Sequence, residues 1–287
     1  MGATVITITS GKGGVGKTTT TANLGLGLAK LGKKVVVIDT DIGLRNLDII
    51  LGLESRVVYD LVDIVEGNCK LRQAMIKHKQ FPDLYLIPAA QKRDKTAVSP
   101  ANMIQITNTL RDEFDFIIID SPAGIERGFR NAIAAADKVV VVTNAEVSAV
   151  RDADRVIGLV EASIKQLNDS NTPRPAGTKI PVQLILNRVR IDMIRRGEMM
   201  SVADVNDVLG IQIVGIIPED ELVIPASNTG VPVVLNENSR AGKAYMNISR
   251  RLTGEDVPFM SLESSGGLFQ RLNKILTGGQ SPREPKG

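Results

Sequence analysis

Gly11-Lys12-Gly13-Gly14-Val15-Gly16-Lys17-Thr18 is the stretch whose residue types and spacing most directly specify chemistry. Glycines at 11, 13, 14 and 16 are expected to let the backbone take positive φ and approach an anion closely, so that several N–H groups point at one phosphate. Lys17 is then placed to reach the β- and γ-phosphates of a nucleotide, and the Thr18 hydroxyl to hold Mg2+. Val15 and Thr19 complete the expected nucleotide-contacting set. A second lysine, Lys12, precedes Lys17 where an ordinary phosphate loop has none. Projecting from the outer rim, it either reaches a nucleotide held by a facing subunit, meeting transition-state charge as an arginine finger does, or is a solvated lysine near phosphate.

Phosphoryl transfer also needs carboxylates, and three stand at the ends of apolar runs. Asp120 closes FDFIIID and is expected to accept from a Mg2+-bound water or from Thr18. Asp39 and Asp41 close VVVIDTD and enter a loop placed to sense the γ-phosphate, with Asp39 a further metal-site candidate. For the base, Asn187 and Pro218 end two later strand-like runs. Each is either a purine contact or an ordinary turn former. No Asn-Lys-x-Asp box is present, because Asn187 is followed by Arg-Val-Arg, and ATP is favoured over GTP. Gly11-x-Gly13-x-x-Gly16 also fits a dinucleotide turn, with Asp39 at the end of the second strand, so an NAD-dependent Rossmann oxidoreductase is a competing reading. Lys17-Thr18 has no role in such a turn.

These residues need rigid elements to hold them. Continuous β-branched runs recur at Thr4–Thr9, Lys34–Asp39, Leu84–Pro88, Phe116–Asp120, Lys138–Thr143, Val182–Asn187 and Gln212–Pro218, with helical patterns between most of them. The first helix is expected from Lys17 to about Leu31. This alternation predicts a single α/β domain, a mostly parallel twisted sheet flanked by helices on both faces. Ligands in such sheets bind at the carboxyl ends of strands, where the glycine-rich loop falls. Asn168–Pro181 is polar and proline-rich and reads as a surface loop. The one cysteine, Cys69, excludes an intramolecular disulfide and reads as a small packing residue. His78, in Lys-His-Lys-Gln, reads as a solvated surface residue.

No secretory signal and no run of about 20 apolar residues is seen, so a cytosolic or equivalent compartment is expected. The net charge of +3 resides in Gly266–Gly287, leaving 31 basic and 31 acidic residues in the body, which weakens a general DNA-binding reading. The body is expected to span 1–262, followed by a connector at 263–267 and a disordered tail at 278–287. In between, at 268–277, Leu268, Phe269, Leu272, Ile275 and Leu276 recur at helical spacing, with Arg271 and Lys274 off that stripe. This is either an interfacial helix lying on anionic lipid or a helix docked on the protein's own core.

GKGGVGKT, followed by DTDIGLRNLD, DSPAG and a late IPED, resembles the deviant Walker A ATPases, the ParA/MinD family of P-loop proteins. The resemblance covers essentially the whole chain, including RVVYDLVDIVEG, PAAQKRDK, EVSAVRDADR, GEMMSVADV and AGKAY. It implies an ATP-dependent homodimer with ATP and Mg2+ that places the division site, recruits a MinC-like inhibitor and is released by a MinE-like activator of slow hydrolysis. It also implies cycling between the cytoplasm and the inner face of the cell membrane, or plastid stroma and inner envelope for a chloroplast protein. By the same resemblance Lys12 serves the partner subunit, Asp41 supports hydrolysis and Asp152 couples nucleotide state to partners. A ParA-type DNA-partition ATPase is the alternative within the family. It would lack a membrane anchor and carry a basic face.

Overall fold

The structure, a computed structural model, describes residues 2–94, 96–124, 127–169 and 180–261. The expected connector, amphipathic helix and tail at 263–287 lie outside these residues, as does most of the expected loop at 168–181.

Among the described residues one sheet is built from β1 (Thr4–Thr9), β2 (Val35–Asp39), β3 (Ile76–Lys77), β4 (Leu84–Ile87), β5 (Phe116–Asp120), β6 (Lys138–Asn144), β7 (Val182–Val189) and β8 (Gln212–Pro218). Their order is β3-β4-β2-β5-β1-β6-β7-β8. Every pairing is parallel except β3 with β4. The helices are α1 (Lys17–Lys30), α2 (Leu47–Ile50), α3 (Leu61–Glu66), α4 (Leu71–Ala74), α5 (Pro100–Leu110) and α6 (Arg127–Ala134). They continue with α7 (Val147–Asp169), α8 (Ile191–Arg195), α9 (Val202–Leu209), α10 (Val223–Asn228) and α11 (Arg240–Leu252).

The strands are buried on both sides, which is why their sequences run apolar without alternation. On one face Ile6, Ile8, Val37, Ile118 and Val140 pack against Leu24 and Leu28 of α1 and Tyr245 and Ile248 of α11. On the other, Val139, Val141 and Leu184 meet α6, α7 and α9, while Val36, Ile117 and Ile119 meet α3 and α5. Local sequence sets the helix starts: Asp60, Ser99 and Ser201 each cap the next helix reciprocally, and Pro100 occupies the first turn of α5.

Seven strands lie where the runs predict, with small changes at their ends. β3 is unforeseen, because two residues pairing antiparallel at an edge leave no periodic signature. β7 continues past Asn187 to Val189 through a bulge at which Arg188 takes φ 54. His78 is buried and not solvated: its Nδ1 accepts from the Gln80 and Phe81 amides, both at 3.2 Å, and burial lowers its pKa. Cys69 is half-buried and free.

Candidate functional site

β1 runs between β5 and β6 at the centre of the sheet, and residues 10–16 carry the chain from its carboxyl end into α1. The four loop glycines serve different purposes. Gly14 and Gly16 adopt φ 80 and 94, whereas neither Gly11 nor Gly13 has positive φ, contrary to the expectation for all four. Gly11 is needed for proximity, since a Cβ there would overlap the Asp152 carbonyl of α7. Gly13 faces open space. Gly16 is also pressed by the Asn187 amide, whose Nδ2 donates to the Val15 carbonyl at 2.8 Å. As N-cap of α1, Gly16 offers no side chain to the first turn. The amides of that turn are thus left to an anion, at the positive end of the helix dipole.

Behind the loop lies a buried polar cluster. Lys17 Nζ donates to Asp120 Oδ1 at 2.9 Å, and the Thr21 hydroxyl donates to the same oxygen at 2.9 Å. Asp120 is held from its main chain too, its carbonyl accepting from Thr40 N at 3.0 Å and Thr40 Oγ1 at 2.7 Å. Asp120 Oδ2 is buried with no hydrogen-bond partner. Thr18 is half-buried beside Lys17, its Oγ1 3.4 Å from Nζ, and Thr19 O accepts from Asn23 Nδ2 at 2.8 Å. Asp120, expected to accept from a Mg2+-bound water or from Thr18, accepts here from Lys17 and Thr21. Thr21 lies one helical turn beyond Lys17, a spacing that could have pointed to it.

Asp39 pairs in register with Asp120 across β2 and β5. Its Oδ1 accepts from the Asp41 amide at 2.9 Å and its Oδ2 from the Leu47 amide at 3.3 Å, so it ties both ends of the 41–47 loop. Burial, and then the Asp120 charge, push its carboxyl up to about 7. Asp41 is half-buried at the loop's start, its carbonyl accepting from the Leu44 and Arg45 amides. Two adjacent buried carboxylates with one unsatisfied oxygen suit a divalent cation. Among the described residues no group of three or more His, Cys, Asp or Glu converges, so water and phosphate would supply the remaining ligands of a bound cation.

The remaining site residues lie around this centre. Val15 is buried under the loop. Pro218 ends β8 in register with Val189, just past the bulge that follows Asn187. Lys12 projects outward, its Nζ 3.8 Å from Glu146 at the start of α7, and both side chains are about half exposed. Nothing local in the sequence pointed to Glu146. Asp152 is half-buried on α7, its backbone against Gly11, which places that helix directly on the phosphate loop. The membrane-facing set Leu268, Phe269, Arg271, Leu272, Lys274, Ile275 and Leu276 falls outside the described residues.

Comparison with known proteins places the sequence and the fold. The family described as an AAA domain matches residues 3–172. The chain is similar to the septum site-determining protein MinD of Bacillus subtilis (strain 168), with 52% identity over 273 residues, 94% of this chain and 97% of that protein. Among solved structures it is similar to the MinC:MinD cell division protein complex of Aquifex aeolicus. There the TM-score is 0.80 and the identity 45%, covering 90% of this chain and 99% of that one. It is also similar to the septum site-determining protein MinD of Pyrococcus horikoshii OT3 complexed with Mg-ADP. That match has a TM-score of 0.74 and 28% identity, covering 87% of this chain and 96% of that one.

Proposed function

The chain belongs to the MinD family of septum site-determining ATPases, and on that premise we propose a protein that dimerises on ATP, binds membrane as a dimer, recruits a MinC-like division inhibitor and is released by MinE-like stimulation of hydrolysis. The observation that carries the ATPase reading is the Lys17–Asp120–Thr21 cluster behind the phosphate loop, with Asp120 Oδ2 left unpaired. The Mg-ADP complex of the Pyrococcus horikoshii relative supports ATP with Mg2+, and the Aquifex complex supports a MinC-like partner.

Each side chain then has a task. The loop amides and the open first turn of α1 hold the phosphates, and Lys17, steadied by Asp120, lies behind them to neutralise charge. Thr18 and Asp120, with Asp39 beside them, would hold Mg2+, which would supply charge neutralisation at the phosphate oxygens. Asp41 enters a loop whose two ends are pinned to Asp39, and supports the attacking water from there. Asn187 and Pro218 flank the base. Lys12 leaves its weak, solvent-screened contact with Glu146 to meet the partner subunit's nucleotide. α7, in contact with the loop at Asp152, relays nucleotide state to partners.

Membrane attachment is assigned to 268–277. Among the described residues no helix is long and apolar enough to cross a membrane. Five apolar side chains and two cations give a gross gain of about 7 kcal/mol on partial insertion, before the cost of ordering the tail. One tail therefore binds weakly, while two on one dimer gain on the order of 100-fold in avidity. Analytical ultracentrifugation of Lys12→Ala with ATP tests the switch: nucleotide binding persists while dimerisation is lost. A variant that dimerises normally contradicts the role in trans.

A further inference from the structure

α11 ends at Leu252, and the chain beyond it lies beside β8, the last strand on that side of the sheet. Residues 254–259 and residues 212–214 of β8 line one open cleft of about 720 Å3. Arg251 binds the two together. Its Nε donates to the Val257 carbonyl at 2.8 Å and its Nη2 to the Pro258 carbonyl at 2.9 Å, while Nη1 donates to Val214 of β8 at 3.1 Å. The guanidinium also lies 4.2 Å from the centre of the Phe259 ring. Phe259 packs against the apolar layer under α7 and α9, and Met260 against the layer under α1 and α11, so successive residues lean on opposite sides of the sheet. A second arginine, Arg240, donates to the Ser261 carbonyl at 3.3 Å.

None of this serves the nucleotide site, and a solvated loop after the last described helix needs no such fastening. A planar fork that serves three carbonyls from two segments while stacking on a ring cannot be reproduced by a lysine ammonium. We infer that Arg251 is a positioning residue for the membrane segment: it clamps residues 257–259 against β8 and, with Arg240 on Ser261, makes the chain leave the body at Ser261 instead of at the end of α11. The inference rests on the membrane reading of 268–277. With the clamp closed, the tether up to Leu268 is about seven residues (262–268); with it open, about fifteen (254–268). Effective concentration of a second tail at the surface falls roughly as the −3/2 power of tether length, so opening the clamp costs about threefold in the avidity of the dimer.

Full-length Arg251→Ala and Arg251→Lys test this by thermolysin cleavage within 255–261, mapped by mass spectrometry, and by sedimentation with phosphatidylcholine/phosphatidylglycerol vesicles in ATP. Both variants should be cut about tenfold faster within 255–261. Both should bind vesicles about threefold more weakly, with dimerisation and vesicle-free ATP turnover unchanged. Unchanged cleavage overturns the clamp, and faster cleavage with unchanged vesicle affinity overturns its positioning role. Should the parent protein itself fail to sediment in ATP, the membrane reading falls and with it the positioning role, while cleavage still decides the clamp.

Discussion

Lys17 and Asp120 form an ion pair removed almost entirely from solvent, and removing one partner leaves the other as an uncompensated buried charge. Lys17→Ala should therefore destabilise the folded chain by about 3–5 kcal/mol in urea titration as well as abolish Mg-ATP binding by calorimetry. Loss of binding with unchanged stability would mean that the pair contributes nothing to the fold. Asp39 makes a different prediction. Its folded pKa, raised from 3.8 to about 7, means the folded chain keeps a proton that the unfolded chain has released. The stability this group contributes is full below the unfolded pKa and is lost as pH rises through the folded one. In metal-free protein, Asp39→Asn should flatten the fall in unfolding free energy between about pH 4 and about pH 7. Parallel curves for the two proteins would contradict it. The residue types at these positions were legible in the sequence. Thr21 could have been picked out one helical turn beyond Lys17, but not its bond to Asp120, which joins residues 99 apart in the chain.

At the scale of elements, the strand-loop-helix unit holds its shape through two glycine requirements that the motif does not distinguish. Gly16→Ala places a Cβ at φ 94 and against the Asn187 amide, and should cost about 1–3 kcal/mol. Gly11→Ala forces the loop off α7. Gly13→Ala meets nothing and should stay within about 0.5 kcal/mol of the parent. Urea unfolding of the three variants checks the order, and an equally damaging Gly13→Ala would contradict it. The parallel strands were readable because burial on both faces leaves an uninterrupted β-branched run, as in Val35–Asp39. β3, the bulge at Arg188 and the burial of His78 were not. Each depends on what another segment places alongside, and local periodicity carries no record of that.

For the whole molecule, the central sheet puts the phosphate loop, the 41–47 loop and the start of α7 at one end, with Lys12 at their outer rim. A second copy facing that end would see the lysine and the nucleotide together, and doubling the membrane segments would make attachment depend on nucleotide. Truncation after Ser265 should leave ATP binding intact and remove ATP-dependent sedimentation with vesicles; retained sedimentation would place the membrane contact in the body. The most direct measurement of the account is sedimentation of the full chain with anionic vesicles, and in parallel with nonspecific DNA, in ADP and in ATP. The prediction is recovery with vesicles in ATP only and none with DNA. ATP-dependent recovery with DNA in place of vesicles, or vesicle binding indifferent to nucleotide, would contradict it.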